Sequence, residues 1–155
     1  SDLHFAILEL AKIKGFNADP TQISKRLGIH VEEARDAIER LRRLGFVRFE
    51  NGTFTLNSSN NTWTNNQTTS DARRLLQKSL LERGAEAIET IPFELRDNGS
   101  LTVAIDKKRL PEFNEKLKQI RRELGEFFQS DSELDEVYQL TVSFFPLTKI
   151  NGVES

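Results

Sequence analysis

Cations are the side chains with most to offer chemically in the first third of the chain. Lys25, Arg26, Arg35, Arg42, Arg43 and Arg48 fall close together, with His30 among them. Ammonium and guanidinium groups so grouped can neutralise phosphates and release counterions, and an imidazole can meet a base edge. These seven are therefore the candidate DNA contacts. The same stretch is not simply basic: residues 1–56 hold nine basic and eight acidic side chains, a net of +1. Asp36 and Arg40, like Glu39 and Arg43, stand four apart, where opposite charges on a helix pair. A solvated, self-paired surface thus stands beside the phosphate-contact reading. For His30, a turn or capping role stands beside a base contact.

Other chemistries find few residues. With no Cys and only His4 and His30, the chain lacks the makings of a disulfide framework, an iron–sulfur centre, a thiolate zinc site or a cysteine nucleophile. Asp97, Asp106 and Asp131 each fall at a turn or helix start, where capping accounts for them. The Asn98-Gly99-Ser100 turn leads into a strand-like run, whereas a phosphate loop needs a helix directly after its glycine. No nucleophile elbow, Walker motif or GxGxxG is present. The expectation is a protein that is not an enzyme and takes no cofactor or metal.

Two further basic groups, Arg73, Arg74, Lys78 and Arg83, then Lys107, Lys108 and Arg109, read as an anion site or as surface. Net charge is −2, so nucleic-acid binding would need a local patch. No apolar run nears the ~20 residues that span a bilayer, and Ser1-Asp2-Leu3-His4 is no signal-peptide start. A cytoplasmic setting without membrane contact is expected. The absence of Met, even at position 1, hints at an excised or processed piece.

The elements that would position these residues follow from periodicity. Phe5, Leu8 and Ile13, with Ile7, Leu10 and Ala11, predict a first helix stopping at Gly15. Asp19-Pro20-Thr21 is a helix start, with Ile23 and Leu27 four apart and Gly28 as the stop. Val31, Ala34, Ile38 and Leu41 predict a third helix ending at Gly45, whose outward face carries Glu32, Asp36, Glu39, Arg40 and Arg43. Its first turn is acidic, which suits the positive helix end but repels phosphate. Residues 46–49 and 53–56 flank Asn51-Gly52, the strongest short hairpin signal. Helix, helix-turn-helix and hairpin within 1–56 predict a winged helix.

Residues 57–70 are rich in Asn and Thr and read as a linker or loop; Trp63 within them is an anchor or a partner-binding aromatic. From 71 the pattern predicts a long helix with Leu75, Leu76, Leu80, Ala87, Ile88 and Ile91 on its apolar side, ended by Pro92. A strand over 101–105 follows, then a helix with Leu110, Phe113, Leu117, Ile120, Leu124 and Phe127 on one face. Alternation of Tyr138, Leu140, Val142 and Phe144 predicts a strand over 137–145.

Two stretches carry a resemblance. The run Thr21-Gln22-Ile23-Ser24-Lys25-Arg26-Leu27-Gly28-Ile29, with Glu33-Ala34-Arg35-Asp36-Ala37-Ile38-Glu39-Arg40-Leu41-Arg42-Arg43-Leu44-Gly45-Phe46-Val47, resembles the helix-turn-helix of bacterial winged-helix regulators. Residues 101–106, the Leu110-Pro111-Glu112 helix start, Glu136-Val137-Tyr138-Gln139-Leu140 and Phe144-Phe145-Pro146-Leu147-Thr148-Lys149 resemble an uncharacterised bacterial family described as transcriptional regulators. The resemblance spans residues 3–149. It implies a winged helix followed by an α/β domain of unknown function, with further chain before Ser1.

The expected fold is α+β: a winged helix-turn-helix over 1–56, a linker over 57–70, a helical and β-α-β domain over 71–149 and a tail over 150–155. The two strands should be parallel with a right-handed crossover. The expected function is DNA-binding transcriptional regulation; the alternative is a protein-interaction or sensory module whose winged helix does not read DNA. The sequence names no small-molecule effector. Apolar residues in the second half exceed what two strands cover, so a homodimer through residues 71–149 is expected.

Overall fold

The computed structural model describes residues 2–17, 19–51, 53–57, 70–129 and 133–150. Helix α1 (Asp2–Leu10) opens the chain, followed by α2 (Pro20–Leu27), α3 (Val31–Arg43) and an antiparallel hairpin of β1 (Val47–Glu50) and β2 (Thr53–Leu56). Helices α4 (Ser70–Thr90) and α5 (Leu110–Gln129) occupy the second half. The result is a mostly helical protein with a small hairpin after α3, a winged-helix-like arrangement.

Local chemistry explains the first half. The Asp19 carboxylate accepts from the Gln22 backbone N–H at 2.8 Å and Pro20 occupies the first turn, so α2 starts where its orphan donors are met. Gly28 closes α2 in the left-handed region at φ 65°, where a side chain would be strained. Helix α3 turns Ala34, Ala37, Ile38 and Leu41 inward, where they pack with Ile7, Leu8, Ile23 and Val47. In the hairpin, Val47 faces Leu56 and Glu50 faces Thr53, and Asn51 takes φ 50° at the turn. Below the hairpin, the Asn57 side chain donates to the Gly45 carbonyl at 2.6 Å, tying the exit of β2 to the end of α3.

Helix α1 ends at Leu10, earlier than the expected stop at Gly15. Beyond Leu10, Lys12 and Ile13 donate to Glu9 and Leu10, three residues back, so the chain tightens into turns there. That turn lets Phe16 pack against the core.

The second half is built differently. Thr90 ends α4 two residues before Pro92, whose ring disfavours helical geometry in the residue preceding it. A 3-10 turn at Phe93–Leu95 follows, and a second at Lys107–Arg109 is capped by the Asp106 carboxylate on the Lys108 N–H at 3.0 Å. Neither α4 nor α5 contains a buried residue. The first half supplies every buried hydrophobic side chain among the described residues, from Leu3 to Val47.

The expected parallel β-α-β unit is corrected. Among the described residues the sheet consists of β1 and β2 alone, and residues 101–105 and 137–145 run without a ladder between them. A two-stranded pairing is marginal unless an apolar layer covers it. Here no residue of α4 or α5 is fully buried, so among the described residues no apolar layer covers such a pair. Trp63, Gly52, Asp131 and most of the 57–70 stretch lie outside the described residues.

Candidate nucleic-acid interface

Two helices and a hairpin carry the candidate residues. Because α3 spends Ala34, Ala37, Ile38 and Leu41 on the core, its other faces carry Glu32, Glu33, Arg35, Asp36, Arg40, Arg42 and Arg43 into solvent. Lys25 and Arg26 lie in the last turn of α2, and Arg48 on β1. All six basic candidates are exposed on neighbouring elements of one fold, and His30 sits immediately before α3.

Pairing differs from what the spacing suggested. Arg35 binds Glu32 at 2.7 Å, and Arg42 grips Glu39 with two bonds, Nε–Oε2 at 3.0 Å and Nη2–Oε1 at 2.6 Å. Both pairs are three residues apart. The expected pairs Asp36–Arg40 and Glu39–Arg43 are not formed; at Glu39, the fork of Arg42 takes both oxygens. The hydrogen bonds from Arg42 hold the Glu39 carboxyl below its ordinary value, against slight desolvation, and the charges of Arg42 and Arg43 add to them. The same bonds raise the Arg42 guanidinium. On the wing, Arg48 binds Glu50 at 2.8 Å.

Arg26 reaches across the molecule. Its Nη2 donates to the Asp135 backbone carbonyl and to the Glu136 carboxylate at 3.3 Å. A segment more than 100 positions away thus occupies one candidate phosphate contact, and no periodicity in the sequence points to it. Lys25, Arg40 and Arg43 make no ion pair with the described residues, and Arg40 is the cation that pairwise reasoning assigned to Asp36. His30 occupies the position before α3 with an exposed side chain that makes no capping bond. It is placed at the start of the helix, where a cap would sit, without acting as one.

The other basic groups are largely self-paired. Arg74 binds Asp71 at 2.7 Å, and Lys78 lies 3.8 Å from Glu82. Arg109 binds Glu112 with two bonds and lies over the Phe113 ring at 4.9 Å. Those bonds raise Arg109 and lower Glu112. Among the described residues no group of three or more His, Asp or Glu could hold a metal ion. No described helix is long and apolar enough to cross a membrane.

Helix-turn-helix, an antiparallel wing and an exposed α3 together define a winged-helix-like protein. Its family is equally plain: the model of a domain of unknown function, DUF4423, matches residues 1–147, and the chain belongs to that family. No curated protein and no solved structure matches it.

Proposed function

We propose that this protein is a DNA-binding transcriptional regulator that presents α3 to a major groove and its wing to the flanking backbone. The observation that carries the reading is the outer face of α3, which is exposed among the described residues, with Lys25, Arg40 and Arg43 making no ion pair there. The acidic first turn shifts the expected docking toward the C-terminal half of the helix, where Arg40 and Arg43 lie. Arg35, Arg42 and Arg48 join only by exchanging a carboxylate for a phosphate. Exposed ion pairs contribute little to stability, so a phosphate can displace them. His30, before the first turn, is the candidate base contact. A chain without Cys accords with a cytoplasmic setting.

A second reading is favoured by Glu32, Glu33 and Asp36: an interaction module whose α3 meets a protein with basic side chains. Titration of duplex DNA at falling salt separates the two. The regulator reading expects log K to fall linearly with log salt, by about 0.9 per phosphate contact, and the slope to flatten by about one contact in Arg43→Ala. Absence of binding at the lowest salt would leave the interaction module as the better account.

A further inference from the structure

We infer that the acidic segment over residues 133–136 is an autoinhibitory latch: it holds Arg26 in place of a DNA phosphate, so that docking of this segment on α2 and binding of DNA compete for one side chain. The inference rests on the DNA-binding reading and adds to it a role for the second half of the chain.

The geometry is that of competition for a single guanidinium. Arg26 Nη2 donates to the Asp135 backbone carbonyl and to the Glu136 carboxylate at 3.3 Å. A phosphate presents acceptors of the same kind, an anionic oxygen beside a second oxygen. Arg26 also lies where such an anion would arrive. In a helix-turn-helix the first helix crosses the DNA backbone while the second enters the groove, and Arg26 is in the last turn of α2, just ahead of His30 and the start of α3.

The segment brings charge as well as acceptors. Glu133, Asp135 and Glu136 set three carboxylates within four residues, and all three side chains are exposed. The adjoining first turn of α3 adds Glu32 and Glu33. With the latch shut, a phosphate approaching this end of the motif meets carboxylates, and Lys25 is the nearby cation without an ion pair among the described residues. With the latch open, Arg26 joins Lys25 and the 133–136 carboxylates leave the approach. The shut state thus confines docking to Arg40 and Arg43 at the far end of α3; the open state adds the α2 end.

The latch ties the winged helix to the second half. Two residues beyond Glu136, the Tyr138 hydroxyl donates to the Leu95 carbonyl at 2.9 Å, fastening the same segment to the turn after α4. On the other side the hold is light, since the Arg26 and Glu136 side chains are 36% and 62% exposed. A pair that open to water is readily exchanged for a phosphate. The coupling is reciprocal: whatever steadies residues 133–136 on α2 weakens DNA binding, and DNA releases the segment by the same factor.

The test is titration of the full chain with a short duplex of arbitrary sequence at low salt, since phosphate contacts are independent of sequence. Glu136→Gln removes the anion and keeps the shape, and should tighten binding about threefold. In an Arg26→Ala background, itself a weaker binder than the parent, the same substitution should change nothing, because no guanidinium is left to release. Equal tightening in both backgrounds would mean that Glu136 repels DNA without holding Arg26, and overturns the latch. Binding by the parent that Glu136→Gln leaves unchanged also overturns it, while the DNA-binding reading stands. In the parent saturated with DNA, backbone order parameters for residues 133–138 should fall, and a segment that stays ordered overturns the latch as well. Absence of binding by parent and variants alike removes the DNA-binding reading and the latch with it.

Discussion

Two demands meet at Arg26. It lies in the last turn of α2, a position from which a basic side chain can reach DNA backbone, and it also holds the 135–136 segment against the first half. Glu136→Gln removes the charge and leaves the shape, so the segment should loosen while the helices persist. Backbone order parameters for residues 133–138 should fall relative to the parent protein; unchanged values would show that the Asp135 carbonyl and the Tyr138–Leu95 bond hold the segment without the Glu136 charge. The Glu39–Arg42 fork offers a different test at this scale. Its hydrogen bonds lower the folded carboxyl below the unfolded value, so the pair stabilises above the unfolded pKa and loses that contribution as pH falls through the folded one. The stability difference between parent and Glu39→Gln should therefore shrink on acidification. Because the pair is solvent-exposed, the difference should be small throughout. A gap that grows toward acid pH would contradict the assignment.

At the scale of elements, much of the first half was legible because local signals and the buried face agree. Asp19 and Pro20 mark the start of α2, Gly28 its end, and Asn51 the hairpin, each for a reason contained in a few neighbouring residues. Ion pairing was less legible. A helix offers partners at both three and four residues, and side-chain geometry chose Glu32–Arg35 and Glu39–Arg42. The alternation after residue 100 suggests two strands, but among the described residues no ladder forms there. The Arg26 contact, resting on residues far apart in sequence, left no periodic trace. The readable signals carry measurable energies. Asp19→Ala should cost about 1 kcal/mol in urea unfolding, since the Gln22 N–H loses its acceptor. Leu41→Ala should cost roughly 2–5 kcal/mol, because Leu41 is 1% exposed in the only core among the described residues. A smaller loss for Leu41 than for Asp19 would mean that the core lies elsewhere.

For the molecule as a whole, the two halves draw their stability from different sources. The buried side chains among the described residues belong to α1, α2, α3 and β1, and all but Leu3 and Leu10 pack into one cluster within the chain. Residues 70–150 contribute long helices and extended segments whose apolar side chains are half-buried or exposed among the described residues. Stability obtained within a chain does not depend on protein concentration, whereas stability obtained between chains rises with it by mass action. Amide hydrogen exchange should separate the two contributions in one experiment. Protection in α2 and α3 should not change on dilution. For residues 101–105 and 138–142, the expected homodimer predicts protection that rises with concentration. Rapid exchange at every concentration would remove a second copy as their partner, and slow exchange at every concentration would place their hydrogen bonds within the chain itself.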